Sequence, residues 1–547
     1  MRVRPRQLGL LLLAWAFVPQ AWAQAPESVS FHLQRMLDRP ASRDRDSIER
    51  LRALYKGQRY APLWQGPGKP TTQARELVRL LLDAGTYGLR PSDYDADRVD
   101  AEMQNLLVAR DAPAARRAEF DLLVSASALR FVRHLHYGRV DPRAAGFELY
   151  TPRSDLDEPG VIRRLALGRR PEAVLETIEP PFGHYRLLRS ALGRYRQLAS
   201  DPGLTALPRF GGGAVKPGGR YAGAAALRRL LVALGDLDSG AANESDVIDE
   251  SLTAALQRFQ RRHGLSADGI LGPRTYAALT IPLAERVRQI ELTLERWRWL
   301  RPFATPPIVV NLPAFRLYAF RATEDRESEM LKMDVIVGQS YPETQTPVFF
   351  AEMKYVVFRP YWDVPDTILQ REMLPAIRDN PRFLSSNHME LVRGWGDEPT
   401  VVPATPENIE ALAASGLRLR QQPGPHNALG AIKFVLPNYH SVYLHSTPTG
   451  HLFGETRRDL SHGCIRVGDP AGLAAHVLRN AADGWNEDRI REAMNGPPNQ
   501  RVNLVRPIPV MILYATAMAT ESGQMLFFDD IYGHDQKLDE LLRARRG

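Results

Sequence analysis

The 547-residue chain reads as a multidomain α+β protein: a helical N-terminal part, a small three-helix unit, and a mostly β C-terminal part with an insert. Three observations predict this. Apolar residues recur at helical spacing from Ile48 to about Ala199. Glycine-rich punctuation at Gly211-Gly212-Gly213 and Lys216-Pro217-Gly218-Gly219 separates a second helical stretch. After Pro306-Pro307 the period changes from helical to extended. A chain of this length has room for several cores.

Taken in order, residues 1–23 read as a secretory signal. Arg2, Arg4 and Arg6 precede an apolar stretch, Leu8 to Val18, that is too short to span a bilayer, and Ala21-Trp22-Ala23 offers a cleavage site. An exported, periplasmic protein is therefore expected. Residues 24–47 are polar and read as a loose leader. Within residues 48–215, Leu77, Leu80, Leu81 and Ala84 lie on one helical face. A second helix is expected near Glu119 to His136; its His134 and His136 face different sides and make a poor metal pair.

Residues 222–283 predict three short helices, the last opened by a turn from Asp268-Gly269 to Thr275. Residues 284–304 form a connecting helix containing Glu295-Arg296-Trp297-Arg298-Trp299. Residues 305–520 carry the strand patterns, interrupted at 363–425 by a proline-rich mixed stretch that is long for a loop and is expected to be a capping insert. Val510 to Ala515 and Gln524 to Phe528 read as a hairpin, leaving 521–547 as a C-terminal strand and tail.

The formal net charge of +8 is modest for this length, and no segment concentrates it with aromatics, which argues against nucleic acid as the partner. An anionic cell envelope suits an exported basic protein better.

The chemistry centres on the only cysteine, Cys464, within Ser461-His462-Gly463-Cys464-Ile465-Arg466-Val467. A lone thiol in an exported chain has no disulfide partner. Gly463 opens the backbone beside it, and His462 and Arg466 add positive potential that favours thiolate. The bland alternative is a cysteine packed as a small hydrophobe. A thiol nucleophile needs an oriented base. Among His445, His451 and His462, His445 is favoured because it ends an expected strand and is held rigidly. A zinc site of His440, His445, His451 and Cys464 is disfavoured by irregular spacing, so no metal or cofactor is expected. No Ser-x-x-Lys and no Gly-x-Ser-x-Gly motif is present, which sets aside two serine-nucleophile schemes.

His445-Ser446-Thr447-Pro448, Arg458 and Ser461-His462-Gly463-Cys464-Ile465-Arg466-Val467 together resemble the active-site signature of L,D-transpeptidases with a YkuD-type catalytic domain. Pro425-His426-Asn427-Ala428-Leu429-Gly430, Lys433-Phe434, Thr346-Pro347 and Trp362-Asp363-Val364-Pro365 are similar to the lead-in of their larger periplasmic members. Phe259-Gln260, His263-Gly264-Leu265 and Asp268 to Thr275 resemble a peptidoglycan-binding domain of the three-helix type. Pro62-Leu63-Trp64 and Gly88 to Tyr94 resemble the scaffold domain of the same enzymes. Ser446 stands where such enzymes often carry aspartate, which leaves the third member of the triad open.

The resemblance implies a thioester mechanism that joins third-position diamino acids of peptidoglycan stem peptides and releases D-alanine. It implies Cys464 as nucleophile, His445 as base, and Ser461, His462 and Gly463 in the catalytic loop, with an oxyanion hole from N–H groups near Gly463 and Cys464. Arg466 then holds a substrate carboxylate or steadies the loop. Ser446, Thr447, Arg458, Asn427 and Phe434 are expected beside substrate. Water, a free D-amino acid or a lipoprotein as acceptor would make the same chemistry a carboxypeptidase, an exchange enzyme or an anchoring enzyme. A non-catalytic wall-binding protein is the alternative of another class. A papain-like protease would place its cysteine first and its histidine far downstream.

Overall fold

The structure, a computed structural model, describes residues 28–39, 45–149, 156–209, 211, 213–241, 243–323, 329–341, 343–380, 382–394, 399–481 and 484–544. The expected signal, residues 1–23, lies outside them. Among the described residues no helix is long and apolar enough to cross a membrane. The chain divides into two compact units.

The first unit comprises described residues up to 79, together with 95–129 and 159–171. Part of the expected leader is helical, Val29–Asp38, capped by Ser28 Oγ accepting from the Phe31 amide at 3.2 Å. The unit is organised around a buried carboxylate. Asp121 accepts from the amides of Leu63 (3.0 Å) and Trp64 (2.8 Å) and from the Tyr55 hydroxyl (2.5 Å). Trp64 Nε1 donates to Ser125 Oγ at 2.8 Å. Burial pushes the Asp121 carboxyl above its ordinary value, and these donors oppose that shift. The Pro62-Leu63-Trp64 motif thus supplies the donors that let a polar group sit in the core.

In the second unit, helices Ala224–Leu234, Glu250–Arg262 and Pro273–Leu279 form the three-helix part. Gln260 is 1% exposed and holds the turn before the third helix. Its amide nitrogen donates to Asp268 (2.8 Å), Ile270 O (3.0 Å) and Thr275 (3.0 Å), and its oxygen accepts from the Gly269 amide (2.8 Å). Gly269 has φ +74, which explains the glycine there. Helix Leu283–Arg298 uses its charged motif internally. Arg298 is buried against Glu295 at 3.1 Å, and Arg296 pairs with Asp535 at 2.5 Å.

The β part is a closed ring, β3-β12-β10-β9-β4-β13-β1-β2, with β2 pairing back to β3 and β11 added at the edge of β3. These strands are β1 Ile308–Asn311, β2 Arg316–Ala319, β3 Leu331–Gly338, β4 Phe350–Phe358, β9 Ile432–Val435, β10 Leu444–His445, β11 Asp459–Ser461, β12 Ile465–Val467 and β13 Gln500–Leu513. Closure leaves β11 outside the ring, paired only to β3 and leading into the cysteine loop. Between β4 and β9 lies a second sheet of β5 Trp362–Asp363, β6 Met389–Arg393, β7 Thr400–Val402 and β8 Arg418–Gln421, in the order β5-β8-β6-β7. Leu369, Leu374, Ile377, Leu391, Leu412 and Leu419 give it a separate apolar core. The expected insert is therefore a small folded body.

Two expectations at the C-terminus need correction. Val510–Leu513 belongs to β13 and pairs with β4 and β1; the hairpin is β14 Ala517–Ala519 with β15 Met525–Phe527. A short continuous apolar run belongs in a central strand, and Val510 and Ile512 are fully buried there. The expected tail contains a helix, His534–Ala544, whose Leu538 and Leu542 join the main core.

Candidate active site

Strand register assembles the site. Lys433 on β9, His445 on β10 and Arg466 on β12 are direct register partners across three neighbouring strands. The next row, Phe434, Leu444 and Ile465, is fully buried in the apolar core. Side chains alternate faces along a strand, so the first row lies on the face opposite that core. Tyr443 and Cys464, two residues from His445 and Arg466, fall on the same face. The Ile465 amide donates to Tyr443 O at 3.1 Å, bringing those two chain segments together.

The loop carrying Cys464 is tied from within. Ser461 Oγ donates to Cys464 O at 2.5 Å and accepts from the Gly463 amide at 3.2 Å. Thr346 Oγ1, fully buried, donates to Gly463 O at 2.8 Å and accepts from the Gly338 amide at 2.8 Å. Gly463 has φ +115, a conformation that a side chain would strain. Ser461 therefore shapes the loop, and its hydroxyl is spoken for. The Gly463 amide is likewise engaged, which leaves the Cys464 amide as the open donor of the pair among the described residues.

His445 is buried, and its Nδ1 lies 2.6 Å from the Ser446 main-chain oxygen. A carbonyl only accepts, so Nδ1 carries the proton and Nε2 is left with its lone pair. Burial, with Arg466 and Lys433 adding to it, pulls the His445 pKa down to about 3. The ring is neutral at physiological pH and competent to accept a proton. Gly430 makes room for this arrangement: at φ +62, a Cβ there would lie 2.7 Å from both Ser446 Oγ and the Thr447 amide.

Cys464 is half-buried. Burial pushes its thiol up from the ordinary value; hydrogen bonds from the Tyr443 amide and hydroxyl, then the charges of Lys433 and Arg466, oppose the rise. The net direction is towards thiol, contrary to the expected thiolate. His462 takes no part in that balance. Its Nε2 lies 2.8 Å from Glu372 Oε1, in the insert.

Three expected substrate contacts are also committed elsewhere. Phe434 is fully buried in the core. The Asn427 amide, 1% exposed, donates to the main-chain oxygens of Pro360 (3.1 Å) and Gln422 (3.0 Å) and organises the loop before β9. Arg458 pairs with Asp334 at 2.6 Å and donates to Phe315 O, Val335 O and Glu455 O. Arg466 differs. Among the described residues it has no carboxylate partner; Nη1 reaches Thr449 Oγ1 at 3.4 Å, and its buried Nε has no hydrogen-bond partner. Thr447 bonds the same Thr449 hydroxyl at 2.9 Å. Among the described residues no group of three or more His, Cys, Asp or Glu is placed to hold a metal ion.

Residues 306–493, which contain all of these groups, match the YkuD family model, described as an L,D-transpeptidase catalytic domain. This part of the chain is a YkuD domain. Residues 220–279 match a "Putative peptidoglycan binding domain" and residues 49–192 a "Scaffold domain". A Haemophilus influenzae protein described as "Putative L,D-transpeptidase" is 30% identical over 232 residues. That match covers 42% of this chain and 45% of the relative, so the chain spans less than half the length of the relative it matches.

Sequence reasoning missed Tyr443 and Lys433 as members of the YkuD domain's polar face. Lys433 Nζ stands 3.9 Å over the Tyr443 ring, and the Tyr443 and His445 rings meet edge to face at 5.6 Å. The alternation rule could have found both. Once Leu444 and Phe434 are assigned to the core, residues 443, 445 and 433 must share the other face.

Proposed function

We propose that this protein is an exported peptidoglycan L,D-transpeptidase that works on the cell-wall side and cross-links stem peptides through a Cys464 thioester. The single observation that carries the reading is a half-buried thiol, directed at Ser441 O at 3.8 Å, on the same strand face as a neutral imidazole. Its Nδ1 proton is fixed on Ser446 O, and the two groups stand as diagonal neighbours on one face of β10 and β12.

The thiol is stored uncharged, so deprotonation accompanies attack. His445 Nε2 takes the Sγ proton as sulfur bonds to the carbonyl carbon of the third residue of a donor tetrapeptide stem. The Cys464 amide meets the oxyanion. Collapse breaks the carbon–nitrogen bond, His445 returns the proton to the departing D-alanine amine, and a thioester remains. The side-chain amine of an acceptor stem attacks that thioester, its proton passes through His445 to sulfur, and an amide links two third residues. Tyr443, Lys433 and Arg466 stabilise negative charge on sulfur during both steps. Arg466, with no carboxylate partner among the described residues, is placed to hold a substrate carboxylate.

The folded insert caps the site in this reading. The Glu372–His462 contact joins it directly to the cysteine loop, and Arg371 approaches Glu343 at 3.5 Å. A cap that excludes water favours transfer over hydrolysis of the thioester.

The test is mass spectrometry of purified muropeptides carrying tetrapeptide stems, after incubation with the protein and with Cys464→Ala. Dimers joined through two third residues, lost in the variant, are expected. Shortened monomers without dimers would assign a carboxypeptidase instead. No Cys464-dependent product at all would leave the wall-binding reading.

A further inference from the structure

Residues 436–443 join β9 to β10 and so connect Lys433 to His445. Asn438 fixes their path. Its amide nitrogen donates to Leu436 O (2.5 Å) and Val442 O (2.7 Å), and its oxygen accepts from the amides of His440 (3.0 Å) and Val442 (3.2 Å). The Ser441 amide lies 3.5 Å from Asn438 O, closing a turn with Tyr439 and His440 at its corners. His440 braces the turn from outside. Its Nε2 lies 3.0 Å from Glu148 Oε2, and its ring meets the buried Phe349 ring at 5.1 Å. Glu148 is itself tied by its amide to Val348 O at 3.0 Å. The far end of the turn reaches the nucleophile, because Cys464 Sγ faces Ser441 O at 3.8 Å.

Tyr439, at the tip, is fully exposed and makes no ring contact or side-chain hydrogen bond among the described residues. Tyrosine ordinarily buries most of its ring, so one held in water on a braced turn calls for a partner. A lone exposed aromatic elsewhere on the surface would call for none. Position decides here: Tyr439 precedes Ser441 by two residues, so the two Cα atoms lie within about 8 Å of each other.

We infer that Tyr439 is a platform for a sugar ring of the substrate, and that it makes the enzyme favour stem peptides still attached to their disaccharide. This rests on the proposed transpeptidase reading. The exposed residues of the turn select that part of the substrate. Pro437, Tyr439 and Ser441 are exposed and uncharged, and the Glu148 carboxylate beside them is engaged by His440. The cations of the site, Lys433 and Arg466, stand with Cys464 on the strand face, where a carboxylate-bearing stem is served. An aromatic ring flanked by a proline and a hydroxyl suits a neutral ring with an apolar face and hydroxyl edges, which is what a pyranose offers.

The test compares a disaccharide-tetrapeptide with the free tetrapeptide, using Tyr439→Ala and Tyr439→Phe. Both substitutions are at an exposed position and leave the core untouched. On the disaccharide-tetrapeptide, Tyr439→Ala should raise KM about threefold to tenfold, the range for one aromatic stacking contact, with kcat near the parent value. Tyr439→Phe keeps the ring and should stay within about twofold of the parent. On the free tetrapeptide neither substitution should move KM. Equal rises on both substrates, or no rise on the sugar-bearing one, would overturn the platform. Calorimetric titration of the same two ligands into Cys464→Ala and Cys464→Ala/Tyr439→Ala reads the preference without turnover. It should be present in the first and lost in the second; a preference that survives in the second would also overturn the platform. If the parent protein shows no Cys464-dependent reaction, the transpeptidase reading fails, and the titration alone decides Tyr439.

Discussion

Replacing His445 with alanine should slow thioester formation by about 10²–10⁴-fold, the range for a positioned general base. Ser446→Ala should leave the rate near that of the parent. The contrast follows from which atom orients the ring. Nδ1–H goes to the main-chain oxygen of Ser446 at 2.6 Å, and alanine keeps that oxygen. A triad built on the serine hydroxyl would make the two variants fall together. The pH dependence carries the same signature. With a pKa near 3, His445 loses its proton far below neutrality, so base function is complete above about pH 5 and is lost only as pH falls towards 3. Stopped-flow measurement of acylation from pH 4 to 8 should show no inflection where an ordinary histidine titrates. An inflection near 6.5 that vanishes in His445→Ala would contradict the assignment.

Tyr443→Phe is expected to slow acylation by about 10–100-fold, the range for one hydrogen bond to a charged atom. The ring stays, with its contacts to Lys433 and His445; only the hydroxyl that donates towards sulfur is lost. Burial already pushes the Cys464 thiol up, and removing an opposing donor pushes it further. Iodoacetamide alkylation reads this directly, because the thiolate is the reactive form. In the parent protein, alkylation should be slow at neutral pH and climb in the alkaline range. In Tyr443→Phe the climb should begin at higher pH. An unchanged alkylation profile with slower acylation would reduce Tyr443 to a structural role.

The parts of this architecture that obey one local rule were legible in advance. Helical spacing located the scaffold helices, and the switch to extended pattern after Pro307 located the β ring. Cys464 stood out by its isolation and its neighbours. What escaped the sequence depended on long-range pairing. β6 and β8 pair across a mixed, proline-rich stretch that holds β7 and the helix Pro406–Ala413, so their strand character was hidden. Val510–Leu513 looked like half of a hairpin, because nothing local reveals that its partners are β4 and β1, far upstream. Ser441, at φ +55, lies in a turn held by Asn438, so the strand that His445 ends is only two residues long, Leu444–His445. At the site, the motif supplied the right neighbourhood but not the facing. Phe434, Asn427 and Arg458 sit within it yet build its frame, and Lys433 and Tyr443 stand on the reactive face. The balance acting on the thiol was half-legible for a related reason. Nearby cations are visible in sequence, whereas burial, the larger influence here, is not.

The most direct measurement of the central claim is the intact mass of the protein after brief exposure to a tetrapeptide-stem muropeptide. The expected result is a covalent adduct equal to the muropeptide minus D-alanine, mapped to Cys464 by peptide digestion, sensitive to hydroxylamine, and absent from Cys464→Ala. D-alanine release that persists in Cys464→Ala, or an adduct on another residue, would contradict it.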